Sequence, residues 1–89
     1  MAHTPVETLE QKLALAAEQV TVGAQYRHYA SAEKIYTVLH VALQEATEEV
    51  CVVYVSSLSP ELVWVRNLDD WTAVVMNAEG EKVARFTKN

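Results

Sequence analysis

The run from Ile35 to Leu43 constrains the fold of this chain more than any other feature. Its apolar side chains occupy both strand parities, with Ile35, Leu39, Val41 and Leu43 on one side and Tyr36, Val38 and Ala42 on the other. A strand that is apolar on both sides is typically buried on both sides, as in a small barrel that a helix covers. The polar stretch 45–49 and a second apolar run, Val50 to Val55, then predict a hairpin.

Shorter strand patterns flank this hairpin. The first strand pattern begins at Gln25, before the central hairpin. After the hairpin, the sequence predicts a loop at Ser56–Glu61, a strand at Leu62–Arg66 and a turn at Asp69 and Asp70. A last hairpin is predicted from Trp71–Met76 and Lys82–Phe86, with its turn around Gly80. Five or six short strands with tight links are typical of a small, partly open SH3-like β-barrel. The predicted fold class is therefore mainly β with an N-terminal α-helix.

The helix is predicted from the first 22 residues. Thr4 can cap it, Pro5 suits the first helical position, and Glu7 stands where a capping box places its acid. Apolar residues at helical spacing form a single arc of Val6, Leu9, Leu13, Ala16, Ala17 and Val20. This arc must cover either the barrel or a partner subunit. Leu15 lies outside the arc, which leaves a homodimer through the helix open.

Length and charge restrict the classes of function. The 89 residues make one domain with a thin core, divided here into the helix, 1–22, and the barrel, 23–89. A formal net charge of −5 disfavours non-specific binding to nucleic acid or to anionic membranes, because such binding depends on Lys and Arg. The single cysteine, Cys51, is expected to be a buried thiol. Without a visible signal peptide or transmembrane run, the sequence predicts a cytoplasmic protein.

The densest group of recognition-type side chains is Tyr26-Arg27-His28-Tyr29. In a strand, Tyr26 and His28 share one face while Arg27 and Tyr29 share the other. The four side chains therefore act together only if the strand bends or ends there. The tyrosines can equally be core-edge residues with hydrated hydroxyl groups.

Two arginines also have competing interpretations. Arg27 either contacts a ligand or pairs with Glu45 or Glu49 at the central hairpin. Arg66 shares a strand face with Trp64, and a guanidinium beside an indole can recognise planar or anionic groups. A solvated arginine over a packed tryptophan explains the same pattern.

A complete catalytic or metal-binding set is not visible in the sequence. His3, His28, His40 and Cys51 match no zinc spacing. Two glycines cannot form a glycine-rich phosphate loop, and no serine or cysteine has the flanking residues of an activated nucleophile. We therefore expect no metal, no cofactor and no enzyme acting alone.

Five short motifs occur in a fixed order between residues 23 and 86. They are Tyr26-Arg27-His28-Tyr29, Tyr36-x-Val38-Leu39-x-x-Ala42, Glu45-x-Thr47-x-Glu49 before Val52-Val53-Tyr54, Trp64-Val65-Arg66, and Gly80 with Arg85-Phe86. The series resembles the bacterial domain-of-unknown-function family 1653. This resemblance implies an SH3-like β-barrel without an assigned activity, joined in some members to a Nudix hydrolase domain. The chain departs from the family pattern at its N-terminal helix, at the loop 56–61 and at Asn67.

The leading interpretation is a binding module that recognises a small anionic or planar ligand, or a peptide edge. The candidate residues are Arg27, His28, Tyr29, Trp64 and Arg66. One alternative, implied by the Nudix association, is an accessory domain for nucleotide hydrolysis carried out by another domain or protein. A second alternative is structural self-association through the helix.

Overall fold

The strands form one large and one small antiparallel sheet. The computed structural model describes residues 4–89, except for the side chain of Ala32. In this range the elements are α1 (Val6–Gln19), β1 (Gln25–His28), β2 (Ser31–Leu43), β3 (Val50–Ser56), β4 (Ser59–Asn67), α2 (Leu68–Trp71), β5 (Val74–Met76), β6 (Lys82–Ala84) and β7 (Phe86–Lys88). The large sheet has the order β4-β3-β2-β1-β7, and β5 pairs with β6. The prediction of a mainly β fold with an N-terminal helix is confirmed.

The large sheet is open, so the predicted barrel is not confirmed. Its outer strands are β4 and β7, and no hydrogen-bonded ladder joins these two strands within residues 4–89. The predicted strand Lys82–Phe86 is divided at Arg85, which leaves β6 with β5 and β7 with β1. The backbone of Arg85 links the two sheets. Its N–H donates to the Ala73 carbonyl and its carbonyl accepts from the Tyr29 N–H, each at 2.9 Å.

A bulge in β2 changes which side chains face the core. Val38 pairs with Tyr54, but His40 pairs with Val53, so Leu39 is the extra residue. As a result Val41 packs against the core from the same sheet face as Val38, although strict alternation predicts opposite faces. On the other face His40 is exposed. The assumption that β2 is buried on both faces, from which the barrel was predicted, is therefore wrong.

The helix α1 packs on its own sheet through its C-terminal end. It contacts β2 and β3, and its arc is fully buried only at Ala16 and at Val20, the residue after the helix. The predicted capping by Thr4 is wrong, because the Thr4 hydroxyl donates to the Glu48 carboxylate and the helix begins with no side-chain cap. Leu15 is exposed, as its position outside the arc indicates. No helix among the described residues is long and apolar enough to cross a membrane.

The segment after β3 differs from the predicted loop and turn. Pro60 and Glu61 lie within β4, and the two aspartates Asp69 and Asp70 lie in the short helix α2. As the outer strand of the sheet, β4 exposes 47–62% of four consecutive apolar side chains, Leu62 to Val65. Trp71, predicted to begin a strand, ends α2 and is buried.

The core lies on one face of the large sheet. Its buried members are Val20, Tyr26, Val38, Val52, Tyr54, Trp71 and Phe86. Trp71 stacks on Phe86 with ring centroids 3.8 Å apart and planes 5° apart, and meets Tyr26 edge-on at 5.4 Å. The aromatic core thus extends from α2 across the sheet to β7.

Candidate functional site: an aromatic face with three cations

Aromatic side chains from five strands line the core side of the large sheet and reach the surface there. Directly paired residues share a sheet face, and the pairs Tyr26–Tyr36 and Tyr54–Trp64 continue this face from β1 to β4. The ring centroid of Tyr36 lies 5.8 Å from that of Tyr54 and 5.5 Å from that of Phe86. We call the surface formed by His28, Tyr36, Tyr54, Trp64 and Phe86 the aromatic face.

A groove of about 350 Å³ opens between β2 and β4 on this face. It is lined by Lys34, Tyr36, Tyr54, Ser56, Leu58, Ser59, Leu62 and Trp64. The lining contains one cation and no carboxylate. Trp64 is 50% exposed, so its indole is available to a flat partner.

Two guanidinium groups contribute positive charge near His28. The guanidinium carbon of Arg66 lies over the Phe86 ring, 5.4 Å from its centroid. The side-chain Nε of Arg85 is buried and has no hydrogen-bond partner among residues 4–89. Together with Lys34 these groups place three positive charges near His28. This concentration stands out in a chain whose formal net charge is −5.

His28 is an uncharged residue close to these three cations. Its Nδ1 accepts the Ala30 N–H at 3.1 Å, so the neutral ring carries its hydrogen on Nε2. Burial lowers the pKa of His28 below 6.5, and the charges of Arg66, Arg85 and Lys34 lower it further. At neutral pH the ring is therefore an uncharged donor next to the Phe86 ring, 5.0 Å away between centroids.

Acidification should destabilise the fold through His28. The His28 imidazole of the unfolded chain takes up a proton near pH 6.5, whereas that of the folded chain does so only at lower pH. The contribution of His28 is thus fully present above the unfolded pKa and decreases as the pH falls from there through the folded pKa. Between about pH 7.5 and about pH 5, the free energy of unfolding of His28→Gln should fall less than that of the parent, as measured by urea titration. Equal slopes for His28→Gln and the parent would contradict the assignment.

The five residues singled out in the sequence do not all meet. His28, Trp64 and Arg66 belong to the aromatic face, and the Tyr29 ring borders it, 4.7 Å from that of His28 between centroids. Arg27, the neighbour of His28 in β1, points to the other sheet face. Arg27, His28 and Tyr29 nevertheless line one depression of about 240 Å³ together with Thr87, whereas neither Trp64 nor Arg66 lines it.

Arg27 does not pair with an acid of the central hairpin. Its Nε donates to Asn89 Oδ1 at 2.9 Å. Its partner in β2 is Ile35, whereas Glu45 and Glu49 follow the far end of that strand, about 26 Å away at the usual rise per residue. The ion-pair interpretation of Arg27 is wrong for this reason.

Sequence reasoning missed part of the aromatic face. Lys34 and Tyr36 are two residues apart in a strand, as are Trp64 and Arg66. Because residues two apart in a strand share a face, this spacing could have shown that each pair occupies one strand face. Nothing local identifies Arg85, because its position depends on the break between β6 and β7.

The other ligand-type residues are dispersed. Within residues 4–89 no three His, Cys, Asp or Glu side chains are close enough to hold a metal ion, and His3 lies outside the described residues. Cys51 is buried as predicted, and burial raises the pKa of its thiol, with a further increase from the charge of Glu49. Such a thiol is a poor nucleophile.

Comparison with known proteins places this sheet in a family. A family model described as a protein of unknown function (DUF1653) matches residues 24–88. The structure is similar to the crystal structure of a DUF1653 protein from Bordetella bronchiseptica, with a TM-score of 0.63, 30% sequence identity, and coverage of 76% of this chain and 86% of that chain. No curated protein matches the chain. The matched residues 24–88 include the strands of the aromatic face, and the chain belongs to the DUF1653 family.

Proposed function

We propose that this protein is a binding module that takes up a small, planar, anionic ligand on its aromatic face. The observation that carries the proposal is that Lys34 lines a groove without a carboxylate, while Arg66 lies over the Phe86 ring, 5.4 Å from its centroid, and His28 lies 5.0 Å from the same ring between centroids. These residues supply both kinds of contact that such a ligand requires.

The arrangement of charges supports an anion in particular. Like charges that are close together repel each other and oppose folding unless a counter-charge is present. Arg66 and Arg85 provide planar, multiply donating groups that suit oxyanions. His28 adds an uncharged N–H donor that does not increase the repulsion.

The groove supports a planar group next to the anion. Tyr36 and Trp64 are on opposite sides of Tyr54 in the sheet, and all three line the groove. A flat ring that enters it contacts aromatic surfaces from three strands. Offset or edge-on aromatic contacts add to the free energy gained from burial alone.

A peptide added to β4 is the second candidate. An outer strand with four consecutive apolar residues exposed by 47–62% is suited to pairing with another extended segment. Pro60 removes one backbone donor from this edge, which limits the pairing to residues after it. Self-association through α1 is a weaker proposal, because the most buried part of α1 packs on its own sheet.

Thermal unfolding with matched ligand pairs tests the leading proposal. Planar carboxylates and phosphates should raise the melting temperature more than their uncharged amides or alcohols, since a ligand at 100 times its Kd stabilises by about 2.7 kcal/mol. Arg66→Gln should remove this shift. Lys82→Gln, which removes one positive charge at an exposed position of the small sheet, should retain it.

Three results would contradict the proposal. They are equal stabilisation by charged and uncharged members of each pair, equal loss of the shift in Arg66→Gln and Lys82→Gln, and stabilisation by extended peptides alone. The last result would favour pairing at β4.

A further inference from the structure

We infer that the free edge of β4 pairs with β4 of a second copy of this chain, antiparallel and about a two-fold axis at Trp64. The dimer forms through this edge alone and needs no ligand on the aromatic face. Two five-stranded sheets then become one continuous sheet with the two β4 strands at its centre.

The outer strand β4 exposes apolar side chains on both of its faces. They are Leu62 (47% exposed), Val63 (58%), Trp64 (50%) and Val65 (62%). Trp64 lies on the aromatic face, opposite Tyr54, whereas Val63 and Val65 lie on the other face. A molecule layered on one face of the sheet covers only one of these two sets. A strand in the plane of the sheet contacts both, because its own side chains alternate in the same way.

The backbone of β4 is also free on its outer side. Within residues 4–89 only β3 pairs with β4, so alternate residues of β4 direct their N–H and C=O groups away from the sheet. Proline, charge and irregular pairing usually protect such an edge. Here Pro60, Glu61 and an irregularity in the pairing with β3 protect only the start of the strand. From Val63 to Asn67 the pairing with β3 is regular, and Arg66 is the one charged residue.

The residues of β4 complement themselves in this orientation. A two-fold axis perpendicular to the sheet keeps each residue on its own face, and opposed residues share a face. With the axis at Trp64, the two Trp64 side chains oppose each other and Val63 opposes Val65 of the second copy on both sides of the axis. An axis at Val65 would place Val63 opposite Asn67. An axis at Val63 would place Val65 opposite Glu61. Only the axis at Trp64 keeps all these pairs apolar.

The charges permit this contact and favour a second copy as the occupant. In this register Arg66 opposes Leu62, so like charges are not opposed, and residues 62–67 contain no carboxylate. A second copy carries the same unpaired edge, so one contact covers two exposed edges, whereas a foreign peptide covers one. The net charge of −5 on each chain opposes association from a distance, and salt screens this repulsion. Added salt should therefore favour the dimer.

The short length of the contact determines its strength. The segment 62–66 makes about five opposed pairs and about 4 to 6 backbone hydrogen bonds in the antiparallel pattern. This number is at the lower end of the roughly 10 ± 5 hydrogen bonds of specific interfaces. We therefore expect a reversible dimer with a Kd on the order of 10 µM to 1 mM. At the lower concentrations of optical unfolding measurements the monomer predominates.

Sedimentation velocity of the full-length protein without ligand tests the dimer. Between about 5 µM and about 1 mM the measured mass should rise from 9.9 kDa toward twice that value, and it should rise further at higher salt concentration. A mass that stays at 9.9 kDa at all of these concentrations would overturn the inference. A monomer that binds extended peptides would also overturn it, because the edge then belongs to a different partner.

Charges at the paired valines test the register. Combining Val63→Lys with Val65→Lys opposes like charges on both sides of the axis and should raise the Kd by about 10-fold or more, although it lowers the net negative charge of the chain. Combining Val63→Lys with Val65→Glu opposes unlike charges and should keep the Kd within about threefold of the parent. Both positions are exposed, and amide spectra at low concentration show that each variant is folded. Equal weakening in the two variants would overturn the axis at Trp64.

Leu15→Lys is the control for association through α1. Leu15 is 60% exposed on α1, and its replacement should leave the Kd unchanged. A dimer that is lost in Leu15→Lys and retained in the like-charge valine variant would place the contact on α1 and overturn the inference. Because these measurements contain no ligand, the absence of a dimer would not contradict the proposed site for planar anions.

Discussion

Trp71→Ala should lower the free energy of unfolding by about 3 to 5 kcal/mol, as expected for truncation of a buried tryptophan. The side chain is 2% exposed and stacks on Phe86 at 3.8 Å, so its removal leaves a cavity between α2 and the sheet. Domains are typically stable by only about 5 to 15 kcal/mol, so this change removes a large part of the total. Urea unfolding followed by circular dichroism measures the effect.

Trp64→Ala is the matched control for this prediction. Trp64 is 50% exposed on the outer strand, and exposed substitutions usually alter stability by about 0.5 kcal/mol or less. Similar losses in both variants would mean that the stack of Trp71 on Phe86 is not central to the core.

Val20→Asp should destabilise the domain by about 4 kcal/mol or more, because it buries a carboxyl group without a partner. Val20 is 1% exposed and belongs to the core with Tyr26 and Trp71, although it precedes the matched family region, 24–88. The segment that contains α1 is thus expected to be part of the folded unit. The measurement is the denaturation midpoint together with the hydrodynamic radius.

Val22→Asp provides the comparison for Val20→Asp. It introduces the same charge two residues later, at a side chain that is 55% exposed, and should be nearly neutral. If Val20→Asp is as stable and as small as Val22→Asp, residues 4–23 do not form part of the core.

The sequence predicted those parts of the fold that depend on local patterns. The hairpin of β2 and β3 and a helix within residues 1–22 follow from alternation, a polar turn and helical spacing, and both are present. The Thr4 cap failed because its hydroxyl bonds to Glu48, 44 residues away. The bulge after Val38 likewise depends on the pairing register of β2 with β3, which a short segment of sequence does not determine.

The candidate site was predictable to the same extent. Parity alone places Trp64 and Arg66 on one strand face, and both belong to the aromatic face. The aromatic neighbour of Arg66 is nevertheless Phe86, twenty residues later, and Lys34 approaches only through β2. Convergence of this kind requires the complete strand order β4-β3-β2-β1-β7, which is set by non-local pairing.

The backbone bonds of Arg85 have a thermodynamic consequence for the small hairpin of β5 and β6. The bond from Arg85 to Ala73 closes the base of this hairpin and the bond from Tyr29 to Arg85 ties that base to the large sheet, so the hairpin moves away as a unit only when the second bond breaks. A ligand held by the Arg85 guanidinium, as the proposed function requires, would bind the closed arrangement better than the open one. By linkage, the factor by which closure raises the affinity is also the factor by which the bound ligand favours closure. Under the proposed function, occupancy of the aromatic face and the local unfolding of residues 74–84 would therefore be coupled equilibria rather than independent events.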